Sequence, residues 1–540
     1  MILYYRAFAN YDIIFLAIIN LLKEGSYIMS SNYADEFRND LKEFREITEK
    51  FYRKEMSVAD YKGFSGGFGS YAQRGGELGM LRLRLTGGRI TKDQLDFIVE
   101  SMDKHKITRA HITTCQTIQL HDLTGETICE LIEEAWDHGM ITRGGGGDYP
   151  RNVMMTPLTG VATDDLMDVF PYVNAAANYL LSFIKTVKLP RKLKVCFSST
   201  PENVPHATFR DLGFIATENG TFDVYSAGGL GNNPKMGVCV ATDVEPSKVL
   251  YYIKAMINTF TTYGNYEKRG RARTRYMQDT LGAEGYVKAY QEKLAEVLAN
   301  DSLDITVTPT KITKQGCGTA KEDPRIIAQK QDGLYTVAYH PIGGNLSPDK
   351  LRKLREELKD MEDVELRLSP DEGMYIINLN AKEAERILAI TDDGATTLFD
   401  TSVACIGSRT CQVGLRDSQA LLALCISAVR PHNFADGVLP KIYISGCPSS
   451  CGTHQIGPIS FRGAVKQTPD GPKEAFAMFE NGCDYQGQER FAQEVGSMII
   501  ENIPKFLVEL GETITAANST YENWIHDHHD EMLAIAHKYI

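Results

Sequence analysis

Four cysteines in two short segments carry the most specific chemical signal of the sequence. Five residues separate Cys405 from Cys411, three separate Cys447 from Cys451, and 35 residues lie between the two pairs. Four thiolates from two loops can hold a [4Fe–4S] cluster or a tetrahedral zinc ion. The spacing favours the cluster, because structural zinc sites favour two-residue gaps in both pairs. Unligated core cysteines are the third alternative, although the proline and glycine of the second segment indicate irregular backbone.

Positive charge recurs in the first half of the chain, in segments that look like strands or loops. Arg82 and Arg84 stand two residues apart, as do Lys192 and Lys194, so each pair is predicted to face one side of a strand. Arg151 closely follows a run of four glycines. If these side chains met in one pocket, they would bind a small anion and offer protons to it. For each residue alone the alternative is a solvated surface charge, and the spacing does not show that they converge.

A β-α-β-β unit occurs twice. Residues 80–91 have the pattern of a strand, a Gly-Gly turn and a helix N-cap at Thr91, and the same pattern recurs 256 residues later, ending at Ser347. Each copy continues into an amphipathic helix and two further strands. The alternative is coincidence between common units, but the offset holds without a gap. The repeat predicts an α+β protein of two homologous halves in a pseudo-twofold arrangement. Each half would contain a small ferredoxin-like half-domain and a larger α/β subdomain.

This pattern divides the chain into six predicted segments. They are a leader (1–28), an N-terminal helical extension (29–60), a first ferredoxin-like half-domain (61–140), a first α/β domain (141–310), a second half-domain (311–395) and a second α/β domain (396–540). The leader is predicted to be non-native, with Met29 as the natural start, because codons for residues 23–25 can form a ribosome-binding sequence. A signal peptide is the alternative, but no small-residue cleavage site follows the apolar patch.

Composition excludes several classes of function. The 540 residues include 58 Lys+Arg and 70 Asp+Glu, giving a net charge of −12, whereas general nucleic-acid binding needs a basic surface. Eleven cysteines are too few for a disulfide scaffold and indicate a reducing, cytoplasmic compartment. No apolar run reaches 18 residues, so no membrane span is predicted.

The cysteine motif resembles that of the assimilatory sulfite and nitrite reductase family, whose enzymes couple a sirohaem to a [4Fe–4S] cluster. Gly446–Gly452 reproduces the family's Gly-Cys-Pro-x-x-Cys-Gly segment, and the likeness runs from about residue 60 to near the end. The resemblance implies that Cys405, Cys411, Cys447 and Cys451 bind the cluster. It also implies that Cys451 supplies its sulfur to the sirohaem iron.

The family's anion-binding residues have counterparts here. An R-x-R-L-x-G-G strand contains Arg82, Arg151 precedes an asparagine, and Lys192 and Lys194 follow Leu-Pro-Arg as K-x-K. The resemblance implies that these four residues bind the substrate anion and act in catalysis.

Residues 113–121 resemble the family's sirohaem-contacting strand. The resemblance implies cofactor contacts from His111, Thr114, Cys115, Gln119, His121, Arg271 and Arg275, in addition to Cys451. Two of these positions depart from the family pattern, because arginine is common where His111 and Cys115 stand. Taken alone, His111 could be a satisfied strand histidine, Cys115 a core thiol, and the basic run 268–275 a solvated helix face.

The implied activity is the six-electron reduction of sulfite to sulfide, of nitrite to ammonia, or of both, with sulfite favoured. No G-x-G-x-x-G opens a helix after a strand, so electrons are expected from ferredoxin or a separate reductase subunit. The alternatives are a nitrite-specific enzyme, a zinc-stabilised binding module and a sirohaem-binding protein without turnover. The four cationic positions argue against the last two, because neither role requires them.

Overall fold

A computed structural model describes residues 29–540, with side chains described from residue 35 onward. The predicted leader, residues 1–28, lies outside the described residues. No helix in the described part of the chain has both the length and the apolar character that a membrane crossing needs.

The described residues form 13 α-helices and 20 strands. The helices are α1 (Met29–Tyr52), α2 (Val58–Ser65), α3 (Lys92–Lys104), α4 (Gly125–Asp137), α5 (Phe170–Leu181), α6 (Val249–Tyr263), α7 (Met277–Leu281), α8 (Ala283–Asn300), α9 (Pro348–Leu358), α10 (Ala381–Ile390), α11 (Ser418–Val429), α12 (Ile503–Ala516) and α13 (Tyr521–His537). The strands are β1 (Ser70–Ala72), β2 (Gly79–Leu83), β3 (Arg89–Ile90), β4 (Ala110–Ile112), β5 (Ile118–Leu123), β6 (Met154–Met155), β7 (Val195–Ser198), β8 (Leu212–Ala216), β9 (Phe222–Ser226), β10 (Val238–Val244), β11 (Ile326–Ala328), β12 (Tyr335–Tyr339), β13 (Asn345–Leu346), β14 (Glu365–Leu368), β15 (Met374–Leu379), β16 (Val403–Ala404), β17 (Ile442–Ser445), β18 (Ile459–Thr468), β19 (Gly471–Glu480) and β20 (Gln493–Ile499).

The two small half-domains are antiparallel sheets that exchange a strand. The first sheet has the order β1-β2-β5-β4-β13, and the second has the order β11-β12-β15-β14-β3. The two-residue strand β13 thus completes the first sheet and β3 completes the second. Side chains of both half-domains pack into one shared apolar core. The exchange explains why the halves cannot be treated as separate units.

The predicted repeat is confirmed and extends further than its sequence signature. Strands β2 and β12, helices α3 and α9, strands β5 and β15, and the starts of α4 and α10 all differ by the same 256 residues. The predicted N-caps also form, because the Thr91 hydroxyl accepts from the Gln94 amide and the Ser347 hydroxyl from the Lys350 amide. In both copies the Gly-Gly turn places both glycines at positive φ, between 58° and 73°. The α+β prediction of two related halves is therefore correct.

The two larger subdomains share one sheet topology. Strands β6, β7 and β8 pair in parallel and continue antiparallel through β9 and β10, and β16 to β20 repeat this arrangement. Each sheet contributes to an apolar core of its own. The segment that precedes β7 contains Lys192 and Lys194, and the segment that follows β17 contains Cys447 and Cys451. These two segments face one another.

Candidate active site

A row of polar side chains crosses the first half-domain sheet. Arg82 on β2 is paired in register with Gln119 on β5, which is paired with His111 on β4. The exchanged strand extends the row, since Asn345 is paired with His111. Cross-strand partners project to the same face of a sheet, so these four side chains share one face.

The glycine-rich loop after α4 joins Arg82 to Arg151. Arg82 Nη1 donates to the Gly145 carbonyl at 2.6 Å, and Arg151 Nη1 donates to the same carbonyl at 3.0 Å. Arg151 also donates to the Gly147 carbonyl at 2.8 Å. A Cβ on Gly146 would lie 2.5 Å from the Tyr71 hydroxyl, so the close approach of this loop requires glycine. Burial lowers the pKa of Arg151 to about 10, and the charge of Arg82 acts in the same direction.

Arg84 has a different role from Arg82, although both were predicted to face one side of a strand. Strand β2 ends at Leu83, and the buried Arg84 guanidinium donates to the backbone carbonyls of Arg143 and Arg151, at 3.1 and 2.9 Å. Its donors are used by the protein itself. Arg84 therefore anchors the loop that carries Arg151.

Lys192 and Lys194 lie just before β7, which begins at Val195. The Lys194 amide donates to Asp211 Oδ2 at 2.8 Å, which fixes the backbone between the two lysines and the sheet. Burial, together with the positive charge of Arg273, Lys194 and Arg151, holds the pKa of Lys192 well below its ordinary value. Burial also lowers the pKa of Lys194. Both ammonium groups are thereby made better proton donors.

The basic run at 268–275 is not the helix face considered from the sequence. It forms two short 3₁₀ turns, Arg269–Arg271 and Thr274–Tyr276. Arg271 is exposed, whereas Arg275 is buried and donates to the carbonyls of Asn232 and Asn233.

Arg273, which the sequence analysis did not single out, forms the important contact of this run. Its Nη2 donates to both oxygens of the fully buried Asp211 at 3.0 Å, and the Thr274 hydroxyl donates to the same carboxylate. These contacts hold the pKa of Asp211 below its ordinary value despite its burial. Asp211 thus ties the basic run to the backbone of Lys194.

The loop between β4 and β5 reaches from the first half to the second. The Thr114 hydroxyl donates to the Cys451 carbonyl at 2.9 Å. Asn152, next to Arg151, donates to the carbonyls of Cys115 and Gln116, at 3.2 Å each. The polar row and the cysteine segment are thereby held against each other.

Two buried histidines of this sheet are neutral near pH 7. Burial and the charge of Arg109 lower the pKa of His111 to about 4. Burial lowers the pKa of His121 to about 3, and its Nδ1 lies 3.1 Å from Gln73 Oε1. His111 Nε2 lies 3.7 Å from the buried Glu372, whose pKa burial raises well above its ordinary value. Because His111 is neutral near pH 7, this contact is not an ion pair.

The four cysteines of the second half lie in facing loops, and all are free thiols. The Gly446 amide donates to Cys405 Sγ at 3.2 Å, in the N–H···S geometry that stabilises a ligating thiolate. Burial raises the pKa of Cys451; negative charge on Cys447 and Cys411 acts in the same direction, while Lys192 opposes it. Cys451 therefore lies near Cys447 and Cys411, and it also interacts electrostatically with Lys192.

The spacing of these sulfurs fits a cluster better than a single zinc ion. Four sulfurs about 2.3 Å from one zinc ion would lie within about 4 Å of one another. Among the described residues, the only His, Cys, Asp and Glu group with three ligand atoms within 4.8 Å is His105, Glu130 and Glu134. No three of the four cysteine sulfurs meet that limit, so they are not arranged as the ligands of a single zinc ion.

The first half offers unmatched polar atoms that an anionic ligand could use. Among the buried polar atoms without a hydrogen-bond partner in the described structure are six nitrogens and one oxygen near this site, on Arg82, His111, His121, Arg151, Asn152, Arg273 and Arg275. Most are donors on cationic side chains. Such a set suits a carboxylate-bearing macrocycle together with a small anion, and the thiols suit an iron–sulfur cluster.

The structure thus brings Arg82, Arg151, Lys192 and Lys194 into one region of the first half, with the Cys451 segment against it. It leaves Arg271 exposed on the outside. A contact that the sequence analysis missed also joins the halves: the Gln455 side chain exchanges hydrogen bonds of 2.8 Å with the backbone of Gly231. The Gly-rich segment 228–231 was the available signal for it.

Two family models match the chain. The nitrite and sulphite reductase 4Fe-4S domain matches residues 146–298, and the nitrite/sulfite reductase ferredoxin-like half domain matches residues 71–135 and 327–393. Together they match just over half of the chain. The repeated match of the second model agrees with the two exchanged half-domains.

The relatives include enzymes named for each substrate. An assimilatory ferredoxin-dependent nitrite reductase of Haloferax mediterranei is 23% identical over 530 residues, covering 92% of this chain and 90% of its own. A chloroplastic ferredoxin–nitrite reductase of Spinacia oleracea is 26% identical, covering 75% of this chain and 69% of its own. A sulfite reductase [ferredoxin] of Mycolicibacterium paratuberculosis is 22% identical, covering 73% and 71%.

The Mycobacterium tuberculosis NirA protein has the same fold. Its structure superposes with a TM-score of 0.74 at 21% identity, covering 93% of this chain and 97% of its own. With the matching family models, the chain belongs to the nitrite and sulfite reductase family, oxidoreductases that carry a sirohaem and a [4Fe–4S] cluster.

Proposed function

We propose that this reductase takes nitrite to ammonia and sulfite to sulfide in a pocket formed by Arg82, Arg151, Lys192 and Lys194. The observation that supports the proposal most is the meeting of these four cations beside the segment that contains Cys451. A small oxyanion needs fixed positive charge to bind near a reduced centre, and it needs protons as its oxygens leave as water.

The two arginines and the two lysines are proposed to divide this work. Arg82 and Arg151 are anchored on the Gly145 carbonyl, so their remaining donors present a rigid face to the anion. The lysines have lowered pKa values and are the proton donors. Asp211 positions Lys194 through its amide and is not itself a donor to the substrate.

The cofactors are proposed to be held by residues of both halves. Cys405, Cys411, Cys447 and Cys451 would hold the cluster, and Cys451 would also bind the sirohaem iron. Contacts to the macrocycle are assigned to His111, Thr114, Cys115, Gln119, His121, Arg271 and Arg275. Arg271 is exposed, unlike the residues of this set in the first half-domain sheet. When bound, the sirohaem supplies an open ligand position on iron, and the cluster supplies electrons one at a time.

We propose that nitrite is the better substrate, whereas the sequence analysis favoured sulfite. His111 is neutral and Cys115 carries no positive charge, at two positions where the family commonly has arginine. The pocket therefore has less positive charge than those two arginines would give it. Nitrite carries one negative charge and ionised sulfite carries two, so the loss weakens sulfite binding more.

Ferredoxin is proposed as the electron donor, because relatives of this chain are named for it. We also propose a cytoplasmic location and the division of residues 29–540 into the five segments given above.

The test is anaerobic turnover of the holoenzyme with chemically reduced ferredoxin as donor. Nitrite and sulfite are offered separately, and ammonia, sulfide and oxidised donor are counted. The proposal expects about six donor electrons per product molecule and a higher kcat/KM for nitrite. The proposal would be refuted if the holoenzyme failed to oxidise reduced ferredoxin both when nitrite is offered and when sulfite is offered.

A further inference from the structure

The thiol of Cys115 makes a contact that the proposed function does not use. Lys194 Nζ lies 3.2 Å from Cys115 Sγ, within the range of a hydrogen bond to sulfur. Within the described residues this is the one hydrogen bond that the Lys194 ammonium makes. A long lysine side chain without such a partner would sample several rotamers.

The backbone that carries this thiol is firmly held. The side chain of the fully buried Gln116 donates to the carbonyls of Met155 and Leu368, at 2.9 and 2.8 Å, and accepts from the Met155 amide. Asn152 donates to the Cys115 carbonyl at 3.2 Å. The backbone of Cys115 is thus held in place, whereas the Lys194 side chain that contacts its thiol has four rotatable bonds.

The charged groups that face Cys115 are mostly cations. Burial alone would raise the pKa of this thiol, but Lys194 and Arg210, with Arg82, outweigh burial and lower it to about 6. Cys115 in turn acts on Arg151. The nearby Cys196 differs, because burial raises its pKa to about 12. The surrounding cations therefore favour the thiolate form of Cys115, the form that can pair with the Lys194 ammonium at 3.2 Å.

Resting on the proposed function, we propose that Cys115 is a positioning residue that holds the Lys194 ammonium in the anion pocket through a sulfur-to-nitrogen ion pair. The thiolate fixes where Nζ lies. It also removes one unit of positive charge from the pocket, in the direction that favours a monoanion. This role differs from the arginine that the family commonly has at the position, since arginine would repel Lys194.

The first test measures the ion pair without turnover. The holoenzyme and its Lys194→Met variant are labelled with iodoacetamide across pH 5–9, and labelling of each cysteine is quantified by mass spectrometry. Because the pocket must admit a small anion, it admits this small reagent. Removing the ammonium should return the Cys115 pKa towards about 8.5 and slow its labelling at pH 7 about 30-fold. Exposed Cys317 reports reagent activity, and Cys196 should remain unlabelled.

The second test separates positioning from packing. Cys115→Ala should lower kcat about 10-fold with a smaller change in KM, a fraction of the ~100-fold or more that general acid catalysis supplies. Cys115→Asp keeps a negative acceptor and should have a higher kcat per sirohaem than Cys115→Ala by about 3-fold, with Cys115→Ser in between. In a Lys194→Met background, Cys115→Ala should have no further effect.

The outcomes distinguish this proposal from the proposed function. The pair is overturned if Cys115 labels with the same pH midpoint in both proteins, or labels in neither, even when the enzyme turns over. It is also overturned if Ala and Asp at 115 give equal kcat. If labelling shifts as expected but neither anion is reduced, the ion pair stands and the proposed function fails.

Discussion

The two half-domains share one fold but differ in how their cationic side chains are paired. The equivalent rows of residues across the two sheets show this difference. In the first half the row across the sheet consists of Arg82, Gln119, His111 and Asn345. The residues 256 positions away in the pseudo-twofold partner are Ala338, Tyr375, Arg367 and Arg89. The backbone register is the same in both rows, and the side chains are not.

In the second half the cations are neutralised internally. Glu365 is buried between Arg89 and Arg367 and accepts hydrogen bonds from both. In the first half, Asp211 pairs with Arg273, and no carboxylate pairs with Lys192, Lys194, Arg82 or Arg151 among the described residues. The comparison shows that duplication supplied two equal frames. Only the first half, where these four cations have no carboxylate partner and face the cysteine segment, is suited to bind an anion.

The largest effect is expected where the cysteine segment meets the first half. Cys451→Ser should lose the cluster and the sirohaem iron ligand together, with loss of all measurable turnover. Iron and acid-labile sulfide analysis of the purified variant checks it. The single cysteine Cys425, buried on α11, is the matched control, and Cys425→Ser should keep its iron. Full iron content in Cys451→Ser would break the assignment.

The equivalent rows can be compared directly by turnover. Arg82→Gln should reduce kcat/KM for both anions about 100- to 1,000-fold, as removal of a donor to developing negative charge does. Tyr375→Phe, at the second-half counterpart of Gln119, should change kcat/KM less than about 2-fold. Equal losses in the two variants would mean that both rows serve catalysis.

Substitution of the two buried carboxylates, Asp211 and Glu365, separates a role in stability from a role in positioning Lys194. Asp211→Asn and Glu365→Gln each remove a buried carboxylate from its guanidinium partners and should cost about 3–5 kcal/mol of unfolding free energy. Only Asp211→Asn should also lower kcat per sirohaem, because Asp211 holds the Lys194 amide. Denaturant unfolding and sirohaem-normalised turnover check the two parts.

The pH dependence of the Asp211 contribution has a defined sign. The folded-state pKa of Asp211 is lowered, so its stabilisation is present above the ordinary value of about 3.9 and is lost as pH falls towards the folded-state pKa. The stability gap between wild type and Asp211→Asn should therefore narrow below about pH 4. A constant gap down to pH 2 would contradict the ion pair.

The smallest expected effect concerns substrate choice. His111→Arg adds one cation to the polar row and should raise the ratio of kcat/KM for sulfite over nitrite about 10-fold or less, equivalent to about 1.4 kcal/mol. His111→Lys is the matched control for charge. An unchanged ratio in both variants would remove His111 from the account of selectivity.

The repeat, the caps and the four cysteines could be predicted because each has a local pattern in the sequence. The ungapped offset and the N-cap hydroxyls of Thr91 and Ser347 follow from periodicity and capping chemistry. The exchange of β3 and β13 could not be predicted, since two-residue strands have no periodicity to detect.

The supporting contacts of the candidate site were also beyond the sequence. The role of Arg273 depends on Asp211, 62 residues away, and that of Cys115 on Lys194, 79 residues away. The alternative of a solvated helix face for residues 268–275 does not hold, because Arg273 and Arg275 are turned inwards to Asp211 and to backbone carbonyls. The sequence shows which residues can carry charge, but the partner of each charged side chain depends on contacts that form only in the folded protein.

The most direct test of the central claim is turnover by the Lys194→Met holoenzyme, normalised to its sirohaem content. Lys194 lies in the first-half pocket and is proposed as a proton donor, so the variant should keep its sirohaem and lose at least about 100-fold in kcat for nitrite and for sulfite. Wild-type turnover of either anion by a sirohaem-loaded Lys194→Met protein would contradict the account.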